Sequence, residues 1–441
     1  MLALLLCGLG ACARGVAERG DILLISVDTL RTDHMSAYGY PLATTPQLSG
    51  FFREGAIFEN AYATSSYTTA SMVSVLSGLL PQHHGVRLFD QLLPEDVALI
   101  TDLLPDAYQK AAFVSNGVLS HRGLGAGDRF DHFDDDMTRG GGSHRLERNA
   151  TATTDAVVEW LDDGRDPKRP LFLWVHYMDP HEPYAPPQAW AGAPEAAADT
   201  PAPEPIVRHR ERRPEVDVRA RIRDYDGEIA YTDHEIGRML ARYGQRADLY
   251  AALVILTADH GETLAERRRW FQHAYHVFEE LVRVPLMLRG PGIEPSRPEA
   301  LVSGLDLLPT MLAFAGVPVA ELPGADLRDA GLATREPVFF VESIHGFDGS
   351  QWRAAVTRRG KWLVRVGGQA APPVLERGYF HLDRDPGEIR LAAWPEGEGP
   401  GARLLELVER DPDPAGRPAD YRRGDLTEEN AEILRRLGYI R

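Results

Sequence analysis

The chain has 441 residues, enough for one large core plus a smaller appended unit, because single cores stop growing at roughly 250 to 300 residues. Its 44% hydrophobic and 26% charged residues are ordinary for a globular protein, and no apolar run reaches the ~20 residues needed to cross a bilayer. The net charge of -17, from 48 basic against 65 acidic side chains, opposes unspecific attraction to nucleic acid or to an anionic membrane face, so an anionic substrate has to be held by local groups.

The chain opens on a Leu-rich segment, residues 1–13, in which Leu9-Gly10-Ala11-Cys12 looks like a bacterial lipoprotein processing site. Lipidation at Cys12 would make residues 1–20 an export leader and the mature chain a periplasmic or cell-envelope lipoprotein, tied to the membrane through the lipid alone. No Lys or Arg precedes the apolar stretch, which keeps a plain frayed N-terminus as the other reading. Cys7 and Cys12 are the only cysteines, so a disulfide framework, a cysteine-based zinc site and redox chemistry are excluded from the folded part.

Residues 22–27 are a run of Ile, Leu and Val, too short for a helix and too apolar for a half-exposed strand, and read as a buried parallel strand ending at Asp28. Segments 111–115, 171–177 and 253–257 have the same character. They lead into Asn116, Met178-Asp179-Pro180-His181 and Ala258-Asp259-His260. Helical patterns at 71–79, 150–161 and 225–243 alternate with them, which predicts a three-layer α/β/α core with a doubly wound sheet. The stretch 183–214, crowded with Pro, Ala, Glu and then Arg, is an irregular insertion, either a mobile lid or solvated filler. After about residue 322 the pattern changes to short strand-like pieces, at 338–341 and 362–366, predicting a smaller C-terminal α+β unit (323–441) with an antiparallel sheet, closed by a helix at 427–437.

Ligands of open α/β sheets gather beyond the carboxyl ends of the strands. Asp28, Asp259 and His260 sit at such ends, and two carboxylates with one imidazole suit a hard or borderline divalent cation; Ca, Mg, Mn and Zn are not distinguished. A lone strand-end Asp is more often a cap or turn former, so the set carries the inference. Thr68 precedes a predicted helix, where unsatisfied N–H groups favour an incoming anion. Its hydroxyl could attack phosphorus or sulfur, or serve as an ordinary N-cap in Ser65-Ser66-Tyr67-Thr68-Thr69.

Several stretches in order resemble the sulfatases of the alkaline phosphatase superfamily: Val27-Asp28-Thr29-Leu30-Arg31-Thr32-Asp33-His34, Thr45-Pro46-Gln47-Leu48, Leu76-Ser77-Gly78-Leu79-Leu80-Pro81, His84-Gly85-Val86, Asp259-His260-Gly261-Glu262, Arg283-Val284-Pro285-Leu286 and Asp306-Leu307-Leu308-Pro309-Thr310, through to Asp385-Pro386-Gly387-Glu388 and the closing Leu437-Gly438-Tyr439. The resemblance implies an alkaline-phosphatase-like sandwich over residues 21–322, with Asp28, Asp259 and His260 as ligands of one divalent ion. It also implies that His181 contacts the substrate's charged oxygens and that His273 acts near the leaving group as general acid, with His276 one helical turn away as the alternative.

The family's modifiable Cys-x-Pro-Ser-Arg stretch falls on Thr68-Thr69-Ala70-Ser71-Met72, so no formylglycine can form there. Asn116 stands where the family has a sulfate-binding lysine, and is the candidate substrate-binding amide; Thr29 replaces an acidic ligand. A threonine with an aspartate–histidine metal pair is similar to the phosphodiesterase and phosphonate-ester-hydrolase side of the superfamily. The expectation is a hydrolase of small anionic phospho- or sulfo-esters, glycan or lipid, with Thr68 as nucleophile and cation ligand. A phosphoryl-group transferase and a catalytically degenerate exported module binding anionic glycans or lipids are the alternatives.

Overall fold

The computed structural model describes residues 20–139, 146–192, 217–268, 270–319, 322–344, 350–367 and 374–411. The leader with Cys12, most of the 183–214 insertion, and the helix expected at 427–437 with Leu437-Gly438-Tyr439 lie outside the described residues.

Among the described residues, ten strands precede the C-terminal unit: β1 Ile22–Val27, β2 Ala56–Tyr62, β3 Gln109–Val114, β4 His132–Asp134, β5 Leu171–Tyr177, β6 Leu253–Ala258, β7 Thr263–Leu264, β8 Trp270–Gln272, β9 Arg283–Arg289 and β10 Leu301–Ser303. Eight of them form one sheet in the order β10-β2-β9-β6-β1-β5-β3-β4, and β7 and β8 pair separately. β6, β1, β5, β3 and β4 run parallel, whereas β9 runs antiparallel to both β6 and β2. The four segments read as parallel strands are thus adjacent at the centre. Every residue of β1, β5 and β6 is buried, which is why their sequences are apolar without alternation.

The longer helices are α1 Pro46–Phe52, α2 Thr68–Ser77, α3 Ala150–Asp163, α4 Val218–Gly244 and α5 Leu307–Phe314. α4 packs against α1 and α3, and α2 packs against α5, which supplies the outer layers. α3 and α4 begin at capping side chains, Asn149 accepting from Ala152 N and Asp217 from Ala220 N. α2 ends at Gly78, whose φ of 67° is a conformation that a side chain resists.

Beyond them lies an antiparallel sheet in sequential order, β11 Phe339–Ile344, β12 Gln351–Val356, β13 Lys361–Val366 and β14 Val374–Phe380, followed by α6 Pro400–Arg410. Its strands alternate. Ala354, Val356 and Leu363 face a cluster containing Tyr62, Leu281, Val282 and Leu301 of the main body, while Ala355, Val364 and Val366 pack on Leu404 and Val408 of α6.

Two buried polar clamps join the units. Arg87 meets Glu342 and Asp411 at 2.5 and 2.6 Å, and Lys361 lies between Glu279 and Glu388 at 3.1 and 3.0 Å. The β11 edge also reaches the main body: Glu342 N donates to Thr64 O at 3.0 Å, and Ser66 Oγ to Ser343 Oγ at 2.8 Å.

Candidate active site

The sheet register brings the site together. Val27 pairs with Tyr177 on one side and with Ala258 on the other, so Asp28 emerges level with Asp259 and with the segment leading to His181. Asp28 N completes the ladder by donating to Tyr177 O at 2.9 Å. All three predicted ligands are wholly buried, and their ligand-capable atoms lie within 4.8 Å of one another.

The two carboxylates are held in the same way. Asp259 Oδ1 accepts from Thr29 N at 3.2 Å and from His260 N at 2.8 Å, and Asp28 Oδ2 accepts from Asn116 Nδ2 at 2.7 Å. The second oxygen of each, Asp259 Oδ2 and Asp28 Oδ1, is buried without a hydrogen-bond donor among the described residues. Burying an acceptor this way is costly unless a positive charge faces it. His260 Nδ1–H donates to Gly261 O at 2.9 Å, which leaves Nε2 as a lone-pair donor, 3.3 Å from Asp259 Oδ2 and 3.2 Å from Thr68 Oγ1. Ligands 2.0–2.1 Å from a tetrahedral ion stand about 3.3 Å apart, so the donor set fits a divalent cation.

The backbone is shaped to the same end. Thr29 adopts φ 53°, a left-handed conformation rarely taken by a β-branched residue, which turns its N–H onto Asp259 while its carbonyl accepts from Tyr225 OH at 2.8 Å. A Cβ on Gly261 would lie 2.2 Å from Glu280 O, so this close approach after His260 requires glycine.

Thr68 is the first residue of α2, three residues ahead of the predicted start, and is 1% exposed. The cap position belongs to Tyr67, and the Thr68 hydroxyl donates instead to His260 Nε2. Ser71 Oγ, one turn on, donates to Asp259 O at 2.6 Å and fastens α2 to the end of β6.

His181 and His273 stand beside this centre. The His273 ring stacks on His260 with centroids 4.6 Å apart and meets His181 edge-on at 4.9 Å. His276 lies elsewhere, against Phe278 and 3.9 Å from Glu280, so His273 is the member of the pair inside the cluster. Glu262 joins them, with Oε1 3.5 Å from His273 Nδ1 and Oε2 accepting from Tyr184 OH. His181 Nδ1–H donates to Glu182 O at 2.5 Å. Asn116 is drawn to Asp28 through its nitrogen, and its oxygen accepts from Val118 N at 3.1 Å, so both ends of the amide are engaged within the protein.

Charge is unevenly distributed over the cluster. Burial pushes Asp28 up, but the His176 N–H and the nearby His181 and His260 outweigh it and hold the carboxyl well below its ordinary value. Asp259 bears the opposite burden, raised by burial and by Asp28. Burial pulls His181 down, yet Asp28, Glu262 and Glu147 bring it above the usual imidazole value. Burial, with His260 and His181 alongside, keeps His273 neutral.

Sequence reasoning missed Glu262, Tyr184, Ser71 and His176. Glu262 was within reach as the acid of Asp259-His260-Gly261-Glu262, and His176 as the one imidazole inside an otherwise apolar strand.

His84, of the His84-Gly85-Val86 stretch, is also buried but serves the scaffold: Nδ1 accepts from Val86 N and Nε2–H donates to Ser74 Oγ of α2, both at 3.1 Å. Burial, helped by Arg87 and His83, pushes it down to about 3 from 6.5. The unfolded chain therefore binds a proton between these values that the fold refuses, and stability present above pH 6.5 is lost as pH falls, by up to about 1.4 kcal/mol per unit. Urea midpoints measured from pH 7 to 4.5 are expected to fall less steeply in His84→Asn than in the parent chain; equal slopes would refute the assignment.

A sulfatase family model matches residues 21–317. An arylsulfatase of Clostridium perfringens is 23% identical over 84% of this chain and 89% of its own length, and a choline-sulfatase of Rhizobium meliloti is 26% identical over 86% and 83%. Among solved structures, one described in complex with its substrate D-glucosamine-2-N,6-O-disulfate superposes with a TM-score of 0.71 at 21% identity, covering 90% of this chain and 98% of that one. The phosphonate monoester hydrolase of Agrobacterium radiobacter gives 0.66 at 19% identity, covering 90% and 95%. With the family model spanning more than half of its length, the chain belongs to the sulfatase family.

Proposed function

We propose that this chain is a divalent-cation-dependent hydrolase of phospho- or sulfo-esters with Thr68 as its nucleophile. The observation that supports this most directly is the pair of buried carboxylates, each with one oxygen tied by N–H donors and the other without a donor, beside an imidazole 3.2 Å from the Thr68 hydroxyl. A cation held by Asp28, Asp259, His260 and Thr68 would supply a lowered hydroxyl pKa and charge stabilisation at the ester oxygens.

Thr68 Oγ attacks phosphorus or sulfur as the bond to the leaving oxygen breaks. The hydroxyl gives up its proton and the departing oxygen gains one. His181, raised by Asp28, Glu262 and Glu147, holds such a proton more readily than its neighbour His273. Water then cleaves the threonyl ester and restores Thr68.

A formylglycine can expel sulfate by breaking its own carbon–oxygen bond, and a threonine has no such exit, so its ester must be opened at phosphorus or sulfur. That asymmetry favours phosphodiester, phosphomonoester or phosphonate-ester substrates over sulfate esters. The structural likeness to a phosphonate monoester hydrolase agrees with it, while the sulfated sugar in the other solved complex keeps anionic glycans as a substrate class. Export through a lipidated Cys12, resting on Leu9-Gly10-Ala11-Cys12, completes the proposal.

The test is a panel of p-nitrophenyl phosphate, phosphodiester, phosphonate and sulfate esters with chain stripped by EDTA and resupplied singly with Mn²⁺, Ca²⁺, Mg²⁺ or Zn²⁺. Turnover is expected only with a cation and is expected to vanish in Asp259→Asn. Cation uptake without turnover across the panel would favour a module that binds anionic glycans or lipids, for which the missing Cys, Pro and Arg at Thr68, Ala70 and Met72 speak.

A further inference from the structure

Next to Asp28 lies a chain of hydrogen bonds that the chemistry above does not use. Trp174 and His176 are two residues apart on β5 and so share a face, and Ser26 on β1 is the register partner of His176. All three are wholly buried. The Trp174 indole N–H donates to Ser26 Oγ at 2.9 Å, and Ser26 Oγ lies 2.8 Å from His176 Nδ1. The other ring nitrogen, Nε2, has no hydrogen-bond partner among the described residues, and Asp28 Oδ2 lies 3.4 Å from it.

The protons can be counted. An indole nitrogen only donates, so the Ser26 oxygen is an acceptor toward Trp174. The hydroxyl still carries one proton, and among the described residues His176 Nδ1 is the only acceptor it reaches. Nδ1 therefore accepts, and the neutral imidazole carries its hydrogen on Nε2, facing the carboxylate. The other tautomer would set a nitrogen lone pair against a carboxylate oxygen and leave the serine proton without an acceptor. Asn116 Nδ2 approaches the same oxygen, Asp28 Oδ2, at 2.7 Å. The Asn116 amide, bonded at 2.7 Å, and the His176 ring N–H, at 3.4 Å, thus both face one oxygen of Asp28, which leaves Oδ1 as the oxygen free for a cation.

We infer that Trp174, Ser26 and His176 form a tautomer-setting relay that positions Asp28, with His176 as a positioning residue for cation binding. The inference rests on the cation reading above. It assigns a task to three core side chains that would otherwise count as packing, and it explains a serine and a histidine in the interior of strands that are apolar everywhere else. Partners of this kind behind metal ligands are worth about 10- to 100-fold in affinity.

The experiment is a double-variant cycle on the full chain, with Mn²⁺ alone as the probe, affinity read by titration calorimetry, and folding checked by thermal melts. Ser26→Ala releases Nδ1 and is expected to weaken Mn²⁺ binding about 10-fold. His176→Gln keeps an N–H near the Nε2 position and is expected to stay within about 3-fold of the parent, whereas His176→Leu removes the N–H and is expected to lose about 10- to 100-fold. In the His176→Gln background, Ser26→Ala is expected to cost nothing further, because no ring remains to be set. A loss from Ser26→Ala of equal size in both backgrounds, or no loss in either, would overturn the relay while leaving the cation site standing. A parent chain that takes up none of Mn²⁺, Ca²⁺, Mg²⁺ and Zn²⁺ would remove the cation reading and the relay with it.

Discussion

Thr68→Ala is expected to lower turnover of any accepted ester by about 10³-fold or more while leaving the melting temperature nearly unchanged. Thr68 is buried and its hydroxyl bonds to His260 Nε2, so the gap left is small and no cap is removed from α2. Asp28, Asp259 and His260 are untouched by the change, so the chain should still take up a cation by calorimetry. Thr68→Ser, which retains a hydroxyl at the same carbon, is expected to recover part of the rate. Rapid quenching of the parent chain with a labelled substrate is expected to trap label on Thr68. Turnover undiminished in Thr68→Ala would end the nucleophile assignment, and the carboxylate pair would then be serving an activated water.

The largest stability effect is expected at Lys361→Met. This lysine is fully buried, with its Nζ between Glu279 and Glu388, and Glu388 also accepts from the backbone N–H of Glu279 at 2.8 Å. Removing one partner of a buried ionic group leaves the other charge uncompensated, at a cost of about 3–5 kcal/mol. Burial raises Glu388 to about 7 even with Lys361 and Arg267 opposing it, so the variant's Glu388 will be pushed higher still. A carboxyl whose folded value lies above its unfolded 4.5 makes the fold bind the extra proton. Stability is then retained at low pH and lost as pH rises through that window. The deficit of Lys361→Met should accordingly be largest near pH 8 and shrink toward pH 5, and adding Glu388→Gln should restore part of it. A pH-independent deficit would show that packing of the lysine stem, rather than its charge, holds the two units together.

What the sequence disclosed follows from which forces leave a local trace. Continuous burial leaves one, so β1 and β5 were legible to the residue and β6 to within one. The strand-end positions of Asp28, Asp259 and His260 were legible for the same reason. Strand direction leaves no such trace: Arg283-Val284-Pro285-Leu286 was visible as a stretch, but its antiparallel placement between β6 and β2 is a property of the whole sheet. The start of α2 was read three residues late because Thr68 and Thr69 look like capping residues, and their hydroxyls are instead bound to His260 and Leu88 O. The sequence points Asn116 toward substrate, and nothing local says that the turn after β3 also brings its amide within 2.7 Å of Asp28 Oδ2. Glu262 and Tyr184 meet only through folding, 78 positions apart.

The edge of β11 meets the chain at Thr64 and Ser66, immediately upstream of Thr68, through a contact between residues 277 positions apart. The turn that carries the proposed nucleophile is therefore held in part by a strand of the C-terminal unit. Exchanging C-terminal lobes between relatives would therefore disturb the segment just ahead of Thr68 as well as the lobe itself. Chimaeras of that kind should need Glu342 and Ser343 carried over from this chain before they turn over anything.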